Sequence, residues 1–506
     1  MKLNVAIVFL LVFSLISCNT SNNLNADKIF TNAKVYTVNE NQPWAWAAAI
    51  KDNKIIFVGL SKEITSFIDE KTEVNDLIGK TIMPGFVGAH DHLIASGWTS
   101  AGVQIYDATS KADALRMIKE SAEELMTIAA SNGTTSFLCP GIITPNIKDV
   151  HGGMERDFET ALDLLQNWDN QGKLKLRTVA LTMYKSAIGN PEKLVDFGAK
   201  MSKKFNSDKI RVNSLKIHPE GNTVAGTAPH FENYLGTNSN GAFNVQPNET
   251  MAIVTKVEKV GLDVMIHTDG DRSSHTAVEA ILEARKINPN NRSDLHHAIF
   301  VHPEDQQRII DNRIPINSTP NFTNTFANGD MDNIKMRGVS QVNSSLGRYP
   351  HFARNGVRVS ISTDVPSTPP AMQGPLFVAQ CAVTLKDASD DEARAFPQNR
   401  KPLTIEQAIR AITIDAAWQL KMEEKIGSIE VGKLADLVIL EKSPFEVAPE
   451  KLKDIKVIAT IMDGKYTYQF NKTMVNSMFK KVQNYAALPG ILKSCDHDNF
   501  SQGHQH

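Results

Sequence analysis

Between residues 83 and 426 the chain alternates short apolar runs with stretches of helical periodicity, and no other feature narrows its fold as much. The strand-like runs include Val179-Ala180-Leu181, Ser214-Leu215-Lys216-Ile217, Asp263-Val264-Met265-Ile266, Ala298-Ile299-Phe300-Val301 and Val357 to Ser362. Helical spacing covers Ala112 to Ala130, Asp157 to Gln166, Val278 to Ile287 and Ile405 to Ala417. Strands and helices taken in turn build a parallel sheet covered by helices. About 340 residues of this pattern predict an α/β fold, a (β/α)8 TIM barrel with insertions, rather than an open sheet. No Gly-rich phosphate-binding turn follows any strand, which argues against a nucleotide-binding fold.

Both ends read differently. Ile29-Phe30, Lys34 to Val38, Ala47 to Ile50 and Lys54 to Gly59 are β-rich, with Asp52-Asn53 as a turn. Leu437 to Leu440 and Val457 to Met462 resemble them, with Asp463-Gly464 as another turn. Segments 27–82 and 427–470 are expected to pair into one small β-sandwich beside the barrel of residues 83–426. Ahead of it, Lys2, the apolar run Val5 to Ile16 and the small residues after it form a targeting signal. Twelve residues are too few to span a bilayer. The run closes on Leu15-Ile16-Ser17-Cys18, which resembles a bacterial lipobox. Residues 1–17 are thus expected to be a lipoprotein signal peptide, Cys18 the lipidated residue and 18–26 a tether. This predicts an exported protein anchored by lipid to the bacterial cell envelope. The tail 471–506 is expected to be a disordered surface end. Lys and Arg number 54 against 56 Asp and Glu, a net charge of -2, which leaves no electrostatic case for nucleic acid. The four cysteines are too scattered for a disulfide framework.

Metal-ligand residues recur where barrel strands should end. His90-Asp91-His92 follows Pro84-Gly85-Phe86-Val87. In a strand, residues i and i+2 share a face, so two imidazoles can grip one ion. Lys216 lies between apolar neighbours, where a charge needs a partner. His267 closes one strand run, His297 lies in Leu295-His296-His297-Ala298, and Asp364 closes another run. Strand logic alone leaves His302 as an alternative to His297. Polar residues at the C-terminal ends of barrel strands converge on one site.

From about Ile29 to Tyr466 the chain resembles the amidohydrolase superfamily, in the subgroup that includes N-substituted formamide deformylases. The resemblance rests on Gly79-Lys80-Thr81-Ile82-Met83-Pro84-Gly85-Phe86, on His267 through Gly270-Asp271-Arg272, on His297-Ala298 with Pro303-Glu304-Asp305, and on Gly427 to Val438. It implies that His90, His92 and Asp364 hold one divalent metal and that His267 and His297 hold a second. It makes Lys216 a bridging position that many members carry as a CO2-derived carbamate. The match beside Ala298 favours His297, leaving His296 and His302 as supporting or surface residues. Zinc is the first expectation, as one or two ions, with manganese, iron or cobalt on the same ligand logic. The implied activity is hydrolysis of an amide-like C–N bond in a small molecule by a metal-activated water, with Asp364 carrying the proton. Rivals are a mononuclear deaminase or an esterase or lactonase on the same fold, and a surface lipoprotein that binds without turnover. Thr268, Asp269, Gly270 and Asp271 stand where such deaminases carry a glutamate. The chain also departs from the subgroup. Glu220-Gly221 stands for Asp-Gly, His296 for Glu, and Thr319-Pro320-Asn321-Phe322 for Gln-Pro-x-His. Substrate therefore does not transfer from a relative, and His218, His230, His275 and His351 carry no spacing argument.

Overall fold

The computed structural model describes residues 25–93, 109–141, 150–184, 191–324, 329–365, 374–397 and 400–471. The signal segment, Cys18, most of the tether and the tail beyond residue 471 lie outside the described residues. No helix among the described residues is long and apolar enough to cross a membrane.

The core strands run parallel in two sheets. Ile210–Arg211, Arg177–Ala180, Thr134–Cys139 and Phe86–Gly88 lie side by side in that order. Thr182–Tyr184, Ser214–Ile217, Asp263–His267, Asp294–His297, Ile316–Ser318 and Val359–Ile361 form the other sheet. Arg177–Ala180 and Thr182–Tyr184 are successive parts of one segment interrupted at Leu181, so that segment belongs to both sheets. Nearly every strand residue is buried, as expected when helices cover a parallel sheet. The covering helices include Lys111–Ser131, Pro247–Lys259, Asp271–Ile287 and Pro303–Asn312. Ser110 caps the first of these, its hydroxyl accepting from Asp113 N at 3.1 Å. Past the strand ends, Asp364 N donates to His90 O (3.1 Å) and His92 N to Val365 O (2.8 Å). These bonds join the segment after Val359–Ile361 to the one after Phe86–Gly88.

The β-rich pieces of the two chain ends share a sheet in the order Lys465–Gln469, Val457–Met462, Leu437–Leu440, Thr81–Pro84, Lys34–Tyr36, Trp44–Ala45. The joint is antiparallel, Leu437 opposite Pro84 and Leu440 opposite Thr81. A second sheet orders Lys54–Gly59, Ala47–Lys51, Lys28–Thr31 and Glu73–Asp76. Phe30, Ile50 and Ile55 of that sheet share one apolar cluster with Val35, Ile82, Leu437, Ile439 and Ile461.

Two expectations shift. Ala298 to Val301 is not a strand; the strand is Asp294–His297, and it ends because His297 (φ 69°) and Ala298 (φ 46°) turn left-handed. The amides of Ile299 and Val301 then bond Thr268 O and Ser345 O instead of a ladder partner. The helix expected from Ile405 to Ala417 is two, Ile405–Ala411 and Ile414–Gln419. Thr404 and Gln407 form a capping box at the first start. The break falls at Thr413, whose hydroxyl bonds back to Ile409 O at 2.6 Å and whose φ/ψ is non-helical.

Candidate metal centre

Each ligand-type side chain stands at or just beyond the C-terminal end of a parallel strand. His90 and His92 follow Phe86–Gly88, Lys216 lies in Ser214–Ile217, His267 ends Asp263–His267, His297 ends Asp294–His297, and Asp364 follows Val359–Ile361. One ligand atom each from His90, His297 and Asp364 lies within 4.8 Å of the others. His92 Nε2 is 3.2 Å and His90 Nε2 3.5 Å from Asp364 Oδ1. The His267 ring lies 4.7 Å from that of His297, and the His90 ring 4.5 Å from it. His297 thus belongs with His90 and Asp364 as closely as with His267, a tighter grouping than the pairwise division implied by the resemblance. His302 is elsewhere: it caps Pro303–Asn312, its Nδ1 accepting from Glu304 N.

At His297, where the backbone turns left-handed (φ 69°), the imidazole is buried. Its Nδ1 is 2.9 Å from Thr319 Oγ1, and Phe322 stacks on the ring (5.5 Å, 18°). A partner on Nδ1 aims Nε2 as the ligand nitrogen. Thr319 and Phe322 belong to the tetrapeptide that departs from the subgroup pattern, so the departure bears directly on a ligand.

Beneath the ligands lies a buried polar layer, of which the sequence marked only His296, as a supporting or surface residue. His296 is fully buried rather than at the surface. Its Nδ1 meets His90 Nδ1, while its Nε2 lies 3.1 Å from Asp294 Oδ1 and 3.1 Å from Gln419 Nε2. Gln419, at the end of Ile414–Gln419, also donates to Ala89 O and accepts from Ser360 Oγ. On the other side His218 stacks face to face on His267 (4.0 Å, 19°). Strand alternation carried a signal for His218, two residues beyond Lys216, and for Asp294, two before His296. Gln419 offered none, because it arrives from a helix remote in sequence.

Burial sets the charge state. His90 is held well below the usual imidazole range by burial, then by the nearby Lys216 and the other histidines. Burial likewise lowers His296 and raises Asp294. Lys216 is 2% exposed, and its Nζ has no hydrogen-bond partner among the described residues. Burial drags its amine down to about 7 against the opposing pull of Asp364 and Asp294. Two imidazoles aimed at one carboxylate, with His90 held neutral by burial and an amine buried beside it, suit a divalent cation.

Residues 129–468 match the family model described as the amidohydrolase family, well over half of the chain. The protein belongs to the amidohydrolase family. This makes it a hydrolase of a metal-dependent kind. The amidohydrolase is 22% identical to the N-substituted formamide deformylase of Arthrobacter pascens, the match covering 88% of this chain and 98% of that one. It is also 22% identical to the imidazolonepropionase of Clostridium tetani, over 84% and 90% of the two chains. An uncharacterized metal-dependent hydrolase from Pyrococcus furiosus shares the fold with a TM-score of 0.64 at 18% identity, over 83% of this chain and 100% of that one.

Proposed function

We propose that this amidohydrolase cleaves an amide-like C–N bond of a small molecule on a closed (β/α)8 barrel. One observation carries the reading: His90, His297 and Asp364 converge within 4.8 Å, with Lys216 buried beside them. His90, His92 and Asp364 would hold one divalent ion, zinc by ligand type, and His267 and His297 would complete a second. The metal, when bound, supplies a Lewis acid for the scissile carbonyl and lowers the pKa of water from about 15.7 toward 7. The names of the Arthrobacter and Clostridium relatives support a C–N substrate.

The chain's own residues do the rest. With its amine at about 7, Lys216 has a neutral fraction at physiological pH. Its lone pair can add to CO2, forming an N–C bond as one C=O π bond opens and losing one proton to solvent, which would leave a carbamate whose single negative charge is shared by two oxygens. Asp364, its Oδ1 facing His90 and His92, takes the proton of the attacking water and gives it to the leaving nitrogen. The polar layer of His296, Asp294 and Gln419 fixes His90 from below. The three-residue cluster alone would also serve a one-ion enzyme, so the metal count separates the two arrangements. Export by residues 1–17 and lipidation at Cys18 complete the proposal and would place the enzyme on the cell envelope.

Asp364→Asn tests the proton role. With a screen of formamides and other small amides, the variant is expected to keep bound metal and lose turnover by about a thousandfold or more. Turnover near that of the unaltered enzyme would remove Asp364 from the mechanism.

A further inference from the structure

The spacer of the His90-Asp91-His92 triplet is itself a buried carboxylate. On a regular strand it would point away from the face shared by its neighbours. Here the strand has already ended at Gly88, and Asp91 is only 7% exposed. Its Oδ1 accepts from Thr363 Oγ1 at 2.6 Å and lies 3.4 Å from Val365 N as acceptor. Thr363 and Val365 flank Asp364. The main chains of the two segments are joined as well, Asp364 N to His90 O and His92 N to Val365 O, while Asp91 N donates to Leu138 O.

Asp364 needs such support. Its φ of 55° is left-handed, a conformation that a residue with a Cβ seldom adopts unless its surroundings enforce it. The grip also explains a glycine. A Cβ at Gly88 would sit 1.9 Å from Asp91 Oδ2, so the carboxylate occupies space that any other residue would fill.

We propose that Asp91 is a positioning residue for the metal centre: held over Gly88, it grips Thr363 and Val365 and so fixes the backbone and carboxylate direction of Asp364 against His90 and His92. This rests on the reading of Asp364 as a metal ligand. Asp91 contacts neither metal nor substrate in this role; it acts through Asp364.

Cobalt(II) bound to the full chain supplies the test, through its visible absorption spectrum and its affinity. Asp91→Ala is expected to shift the spectrum and weaken cobalt binding by about tenfold or more. Asp91→Asn keeps an oxygen to accept both bonds and is expected to recover most of that loss. In an Asp364→Ala background, which removes the ligand oxygen altogether, Asp91→Ala is expected to cost almost nothing further, because the group through which it acts is gone. Should Asp91→Ala fail to fold, Thr363→Val removes the shorter bond and is expected to produce the same spectral shift. Equal losses in both backgrounds, or an Asp91→Ala or Thr363→Val spectrum matching the unaltered protein, would overturn the proposal and leave the metal site standing. An unaltered protein that takes up no cobalt would instead overturn the metal reading and this proposal together.

Discussion

At Lys216 two influences oppose each other. Asp364 and Asp294 favour the ammonium, and burial favours the amine. Burial prevails, bringing the group to about 7 from an ordinary lysine value near 10.5. The sign of the pH dependence follows. Below about 7 the ammonium has no lone pair for CO2, and above it the amine does. With 13C-bicarbonate, a carbamate carbon signal is therefore expected to grow through about pH 7 and to be absent from Lys216→Ala. A signal that appears only in strongly alkaline solution would mean that the amine is not depressed. At this scale His267 and Asp364 stood out because each closes an apolar run, and Lys216 because it interrupts one, while His297 needed the family resemblance to separate it from His302. Their supports were less legible: the sequence leaves His296 open between a supporting and a surface role, and the structure buries it against His90, Asp294 and Gln419.

Among the elements, the segments between strands carry most of what the linear pattern could not show. Glu220, four residues after Lys216 and wholly buried, accepts from Asp269 N (2.6 Å) and Gly270 N (3.0 Å), just past His267. Asp271 in turn accepts from Phe231 N (2.9 Å), and Thr223 donates to Asp269 from its amide and its hydroxyl. The loop after Ser214–Ile217 is thus bound to the loop that follows His267. The approach is closest at Gly270, where a Cβ would fall 2.2 Å from Pro229 O, a backbone atom that cannot swing aside. Gly270→Ala is expected to cost about 2 kcal/mol of stability in chemical denaturation. A change within about 0.5 kcal/mol would show that the loops part easily and do not brace His267. Periodicity revealed where strands and helices occur but not these bonds, because loop geometry depends on partners far apart in the chain. The same limit explains Ala298 to Val301: four apolar residues read as a strand, and only the left-handed turn at His297 shows that they are buried past its end.

Over the described residues, the C-terminal β-rich segment and the α/β core are joined by a buried ionic network. Arg177, 1% exposed, pairs with Asp436 through two bonds (2.6 and 2.9 Å), reaches Asp463 and donates to Asp208 O. Asp436 and Asp463 flank the C-terminal strands Leu437–Leu440 and Val457–Met462, and Arg177 begins a core strand. Breaking one partner of such a pair leaves a buried charge uncompensated, so the network ties the sheet shared by the chain ends to the core. The alternation of runs made the parallel α/β core legible, and Gly427 to Val438 made the family legible. The network was not, because Arg177 lies some 260 positions from Asp436 and nothing in either neighbourhood announces the other. The central question is whether this core carries a lysine-bridged pair of metals. The direct measurement is the number of metal ions per chain after purification with zinc and bicarbonate, for the unaltered protein beside Lys216→Ala. Two tightly held ions, with at least one lost on substitution, is the expected result; one ion in both proteins, or none, would contradict it.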